Sequence, residues 1–82
     1  MSLQNQRQQF MLDQIQKGDT LLHQGGDEQA AFHYYNAVRV VERPQELLAL
    51  FQQSLPAHIF ELIVNFIEIE LQKAQRQTND ID

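Results

Sequence analysis

The 82-residue sequence contains no cysteine, which excludes a disulfide scaffold, a thiolate metal site and a cysteine nucleophile. Only three glycines and two prolines are present, too few for a β fold with many tight turns. Basic residues are also scarce, since six Lys and Arg stand against eleven Asp and Glu, and the formal net charge is −5. A chain with this balance is not expected to bind nucleic acid or anionic lipid through charge, whereas it suits a basic partner.

Long hydrophobic runs are missing as well. The most apolar segment, residues 59–71, is interrupted by polar and acidic side chains, whereas a membrane-spanning helix needs about 20 mostly apolar residues. The sequence shows no secretory signal, no glycine-rich phosphate loop, no nucleophile elbow and no serine–histidine–aspartate arrangement. His23 lies four residues from both Asp19 and Asp27, which is a poor metal constellation. We therefore expect neither an enzyme nor a bound metal or cofactor.

Good helix formers and helix-ending residues fill the chain instead. The patterns predict four helices, at residues 3–24, 27–41, 44–53 and 56–75, and no strand. The first helix should end in a left-handed C-cap at Gly25-Gly26, Asp27 should cap the second, and Pro44 should open the third. We expect an all-α domain over residues 1–76 and a flexible acidic tail over residues 77–82.

The first two helices carry the spacing of a tetratricopeptide unit. The small, large and turn positions of that pattern are Gly18, Leu21, Gly25, Ala30, Tyr34 and Ala37. A single helix pair of this kind cannot bury its own apolar face, so the third and fourth helices should cover it. The expected architecture is a small helical bundle. Its fourth helix should pack through a stripe of apolar residues, namely Phe60, Val64, Ile67 and Leu71, which is flanked by Ile59, Ile63 and Phe66.

The first helix has more apolar surface than packing against a core requires. Its apolar arc covers roughly 200°, whereas a surface helix needs only about 100° to face a core. The spare edge carries Leu12 and Ile15 and is bordered by Gln8 and Asp19. Many glutamines accompany it, which indicates either a solvated face or a polar rim.

The third helix shows the same excess at Leu50 and Phe51, next to Ser54 and Glu46. We infer a shallow groove between the first and third helices, with an apolar floor and a polar rim. Such a groove suits an amphipathic helix with a leucine face and basic flanks. The alternative is that both stripes belong to the core, as most apolar helix stripes do.

Several segments together resemble a known family. They are residues 10–18, residues 21–25, residues 36–38, residues 44–48 and residues 51–56, and the similarity extends over residues 10–63. In order and spacing these segments resemble the small presequence receptor of the mitochondrial outer-membrane import translocase. Arg43 and Thr20 depart from that pattern, and both make the rim less negatively charged than is usual in the family.

The resemblance implies a receptor on the outer membrane, facing the cytosol, whose partners are basic amphipathic presequence peptides and other translocase subunits. It also implies an N-terminal membrane anchor, which is absent here, so we expect the chain to be part of a longer protein. The implied groove residues are Met11, Leu12, Ile15, Leu50, Phe51 and Ser54. The implied polar rim consists of Gln8, Asp19, Gln45 and Glu46.

Two other functions fit the same helices. A tetratricopeptide-type adaptor or chaperone cofactor would hold an extended acidic peptide in a basic clamp, and the scarcity of Lys and Arg counts against it. A structural module would self-associate through the fourth helix.

Overall fold

The computed structural model describes the backbone of residues 3–79 and the side chains of residues 5–75. It contains four helices: α1 (Leu3–His23), α2 (Asp27–Val40), α3 (Pro44–Ser54) and α4 (Ala57–Asn79). Within residues 3–79 there is no strand, and the predicted all-α class is confirmed. No helix in this range combines the length and the apolar content that crossing a membrane requires.

The turn between α1 and α2 depends on two glycines. Gly25 has a φ of +84°, a left-handed conformation that an L side chain rarely adopts. Gly25 N–H donates to the carbonyl of Leu22 at 3.2 Å, and Gly26 N–H donates to the carbonyl of Leu21 at 2.8 Å. These two hydrogen bonds form a Schellman motif, so the predicted left-handed C-cap is confirmed.

The predicted N-cap of α2 is wrong by one residue. Gly26 holds the capping position and offers no side-chain hydrogen bond, while Asp27 is the first helical residue. The Asp27 carboxylate lies 3.1 Å from Nε2 of His58 instead. It therefore ties the beginning of α2 to the beginning of α4.

Helix α2 is the centre of the bundle, with α1 antiparallel to it on one side and α4 parallel to it on another. Ala30, Ala31 and Ala37 have no exposed surface, because their small side chains let the neighbouring helices approach closely. The approach is closest at Gly18 of α1, where a Cβ atom would lie 2.9 Å from two ring carbons of Tyr34. The close contact expected from the spacing of the first two helices is thus present.

Helix α4 packs through the predicted stripe only in part, since Phe60 and Ile67 pack against the core. Ile59 and Ile63 are completely buried, whereas Leu71 of the predicted stripe is 59% exposed. Phe66 stacks on the ring of Tyr35 at 5.6 Å and meets Phe32 edge-on at 5.8 Å. The most deeply buried residues of α4 are therefore ones that the sequence placed at the flanks of the stripe.

The end of α4 also differs from its prediction. The helix continues to Asn79, past the predicted end at residue 75. The remainder of the predicted acidic tail, residues 80–82, lies outside the described residues.

Gln14 also differs from its prediction, because neither a solvated face nor a groove rim describes its surroundings. Its side chain is only 8% exposed, although it lies on the glutamine-rich α1. Its Oε1 accepts hydrogen bonds from Nδ1 of His33 at 2.7 Å and from Nδ2 of Asn36 at 3.2 Å. Gln14 is therefore a buried polar bridge between α1 and α2. Because an amide oxygen only accepts hydrogen bonds, this arrangement requires that His33 carries a proton on Nδ1.

Candidate peptide-binding groove

The predicted groove lies between α1 and α3, which both flank the central helix. Among the described residues, no Cα atom of α1 comes within 8 Å of a Cα atom of α3. The two helices are bridged from below by the rings of Tyr34 and Phe51, whose centroids lie 5.1 Å apart. Tyr34 is completely buried and Phe51 is 4% exposed, so both rings belong to the core, and Phe51, a predicted groove residue, offers a ligand almost no surface.

Both helices that border the predicted groove, α1 and α3, carry an exposed leucine. Leu12 of α1 is 53% exposed and Leu50 of α3 is 57% exposed. These two residues are therefore not part of the core, and the alternative interpretation is wrong for them. Ile15 and Met11 are half-buried on the α1 side and complete that wall.

A hollow of about 200 Å³ opens beside Met11. Met11 and Gln8 line it from α1, and Val40 and Val41 line it from the end of α2. The sequence interpretation missed the two valines. The available signal was a pair of β-branched apolar residues directly before the break that Pro44 imposes.

Asp19 is the rim residue with the most specific contact. Its Oδ1 accepts a hydrogen bond of 2.5 Å from the hydroxyl of Tyr34. Burial of Tyr34, together with the hydrogen bond to Asp19 and the charge of that carboxylate, raises the pKa of the tyrosine well above its ordinary value. The Tyr34 hydroxyl thus stays protonated and remains a donor over the physiological pH range.

Two other predicted polar residues are engaged within α3 itself. The hydroxyl of Ser54 donates to the carbonyl of Leu50 at 2.7 Å. The carboxylate of Glu46 lies 3.5 Å from the guanidinium of Arg43, and both side chains are largely exposed. The rim at this end of α3 is consequently less acidic than Glu46 alone would make it.

Gln45 is not brought together with the other predicted residues. It is five positions before Leu50, which places the two side chains about 140° apart around the helix. Gln45 lies with Leu48 on the edge of α3 that faces α4, where both line a hollow beside Arg39. Leu50 does not line this hollow.

Comparison with known proteins agrees with the family resemblance seen in the sequence. A family model described as "MAS20 protein import receptor" matches residues 2–80. The chain belongs to the MAS20 import receptor family. The resemblance to an import receptor is thereby confirmed for the family, and the individual groove residues stay a prediction.

Individual members of the MAS20 family are similar to most of this chain. Mitochondrial import receptor subunit TOM20 homolog B of Danio rerio is 42% identical over 57 residues, which is 70% of this chain and 39% of the relative. The TOM20 homolog of Caenorhabditis elegans is 37% identical over 60 residues, which is 73% of this chain and 32% of the relative. TOM20 of Saccharomyces cerevisiae is 32% identical over 66 residues, covering 79% and 36%. The chain thus spans about a third of the length of these relatives.

Proposed function

We propose that this domain is a mitochondrial protein import receptor that faces the cytosol at the outer membrane. It captures presequences in the groove between α1 and α3, performs no catalysis and passes its cargo to other translocase subunits. Membership of an import receptor family supports the function. The observation that carries the location of the site is the pair of exposed leucines, Leu12 on α1 and Leu50 on α3.

The binding mode follows from the shape and chemistry of the groove. An amphipathic presequence helix lays its leucine face against Leu12 and Leu50, and each ligand leucine that is buried stabilises the complex by about 1.5–3 kcal/mol. Folding of the presequence upon binding costs about 2–5 kcal/mol, and association of two partners costs several more. These costs offset most of the free energy that two or three buried leucines contribute, so we expect the complex to be weak. Such weak binding allows the fast release that a relay receptor needs.

Charge supplies long-range attraction for a basic presequence. The formal net charge is −5, and Asp19 and Glu46 are exposed at the rim. Exposed charges separated by more than a Debye length, about 8 Å at physiological ionic strength, are largely screened. Binding should therefore weaken as salt is raised, and the apolar contacts should account for the affinity that remains.

A titration followed by NMR tests the location of the site. Isotope-labelled protein is titrated with a basic peptide whose leucines recur one helical turn apart, and with a scrambled peptide of the same composition that has no apolar face. We expect shifts at Leu12, Ile15 and Leu50 with the first peptide and none with the second. Shifts confined to α4 would refute the groove, and preference for an acidic extended peptide would favour the adaptor.

Alanine variants test the two walls separately. Leu12→Ala and Leu50→Ala remove exposed side chains, so we expect unfolding free energies within about 0.5 kcal/mol of the wild type. Each should weaken the peptide by about three- to tenfold, which corresponds to partial loss of one leucine contact. Leu71→Ala is the matched control, because Leu71 is 59% exposed but lies on α4. Equal weakening by all three variants would contradict the proposed site.

A further inference from the structure

Tyr34 contacts both walls of the groove without reaching its surface. On the α1 side its ring lies so close to Gly18 that a Cβ there would be 2.9 Å from two ring carbons. On the α3 side its ring centroid is 5.1 Å from that of Phe51. Because Tyr34 has no exposed surface, it has no surface to offer a bound peptide and acts only through these neighbours.

We infer that Tyr34 is the spacer that sets the separation of the groove walls and that Asp19 is the positioning residue that holds this spacer in place. The inference rests on the proposed function, because it concerns the same groove. No Cα of α1 lies within 8 Å of a Cα of α3 in the described part of the chain, so the two walls have no direct backbone contact. Helix α3 is also held by α2 and α4, and the ring of Tyr34 adds a contact that reaches residues of both walls.

The hydrogen bond to Asp19 fixes the outer end of this ring. Gly18 and Phe51 contact the ring of Tyr34 through packing, which has little directional preference compared with a hydrogen bond. The 2.5 Å bond from the Tyr34 hydroxyl to Oδ1 of Asp19 removes that freedom. Phe51 packs against the ring of Tyr34 and is adjacent in sequence to Leu50. Displacement of the Tyr34 ring should therefore move Leu50, which lies where the ligand is proposed to bind.

Asp19 therefore has two separable properties, a hydrogen-bond acceptor for Tyr34 and a negative charge at the rim. Three variants separate them. Tyr34→Phe removes the hydrogen bond and keeps the charge, Asp19→Asn keeps a carbonyl acceptor and removes the charge, and Asp19→Ala removes both. Asp13→Asn is the matched charge control, because Asp13 is also on α1 but pairs with Lys17 at 3.1 Å.

The peptide affinities of these variants distinguish positioning from charge. We expect Tyr34→Phe and Asp19→Ala to weaken the basic peptide by about three- to tenfold each, and Asp19→Asn and Asp13→Asn by about twofold or less. The salt dependence of the dissociation constant should be unchanged in Tyr34→Phe and reduced in Asp19→Asn. Wild-type affinity in Tyr34→Phe, with equal losses in Asp19→Asn and Asp19→Ala, would overturn the inference.

A measurement without peptide separates this inference from the proposed function. The methyl signals of Leu50 are compared between peptide-free wild type and Tyr34→Phe, and we expect them to shift although Leu50 is across the groove from Asp19. Unchanged Leu50 signals would refute the spacer even if the wild type binds the peptide. Shifted signals in a protein that binds no peptide would refute only the proposed function. Should Tyr34→Phe fail to fold, Asp19→Ala and Asp19→Asn are compared in the same two measurements. The inference holds if Asp19→Ala has the larger effect on affinity and on the Leu50 signals, and it fails if the two variants behave alike.

Discussion

The contact between Gly18 and Tyr34 allows a sharp test of how closely α1 and α2 pack. Replacing Gly18 by alanine adds one methyl group in the middle of α1. Alanine is the better helix former by about 1 kcal/mol, so the change would stabilise an isolated helix. In the folded domain the new Cβ would lie 2.9 Å from Cε1 and Cζ of Tyr34 and 3.1 Å from Cδ1.

The magnitude follows from how little room the ring has. Carbon atoms prefer separations of about 3.5–4.0 Å, so the ring or the helix must move by more than half an ångström. Asp19 and Phe51 hold the ring from two other directions. Overpacking of this kind costs about 1–3 kcal/mol, and subtracting the helix-propensity gain from the upper part of that range leaves a net destabilisation of about 1–2 kcal/mol.

Urea denaturation of Gly18→Ala measures this difference, and a thermal scan should show a melting point lower by about 5–15 °C. The matched control is the pair Gln16→Gly and Gln16→Ala at an exposed position of the same helix. There we expect alanine to be more stable than glycine by about 1 kcal/mol, because only propensity acts. The opposite sign at the two positions isolates the contact with Tyr34.

A stabilised Gly18→Ala, with a gain similar to that of the Gln16 pair, would refute the reasoning. It would mean that the ring of Tyr34 does not pack against α1 at this distance. The spacer inference would then lose its α1 contact as well.

Three further predictions concern other parts of the fold. Gln14→Leu should destabilise the domain by about 1–2 kcal/mol in urea denaturation, because His33 and Asn36 lose their shared buried acceptor; equal or greater stability would contradict this. Gly25→Ala should cost about 1 kcal/mol because of the left-handed φ of +84°, and Gly25→Asn should cost less, as thermal scans would show. Burial raises the pKa of Tyr34 and Tyr35, so the folded state keeps protons that the unfolded state releases first. The contribution of the two tyrosines to stability should be constant below about pH 10, and above it stability should fall by up to about 1.4 kcal/mol per pH unit for each tyrosine. Tyr34→Phe should make that fall shallower, and parallel curves for the two proteins would contradict the assignment.

The order of the helices and most of their bounds could be predicted because their signals are local, whereas the end of α4 carries no such signal and was placed four residues too early. The glycine pair 25–26, Pro44 and the stretches of helix formers each act within a few residues of the chain. The excess apolar residues Leu12 and Leu50 were also visible, since a helical wheel needs only the sequence of one helix. The family resemblance came from the order and spacing of such local segments.

The placement of Gln45 shows where a resemblance and the geometry of one helix diverge. The rotation of 100° per residue already separates Gln45 from Leu50. Which of the two edges of α3 faces α1 depends on how α3 is rotated against α2 and α4, and no pattern within α3 specifies that rotation. The hollow that Gln45 shares with Arg39 and Leu48 places its edge toward α4.

The sequence by itself determined four helices, the left-handed turn at Gly25, the close approach at Gly18 and the family. The tertiary structure decided which faces of those helices are buried. It buried Gln14 between α1 and α2, moved the core line of α4 to Ile59 and Ile63, and joined Asp19 to Tyr34. The physical reason is that helix signals act between residues at most four apart, whereas these contacts join residues separated by more than a dozen positions and depend on the rotation and distance of whole helices.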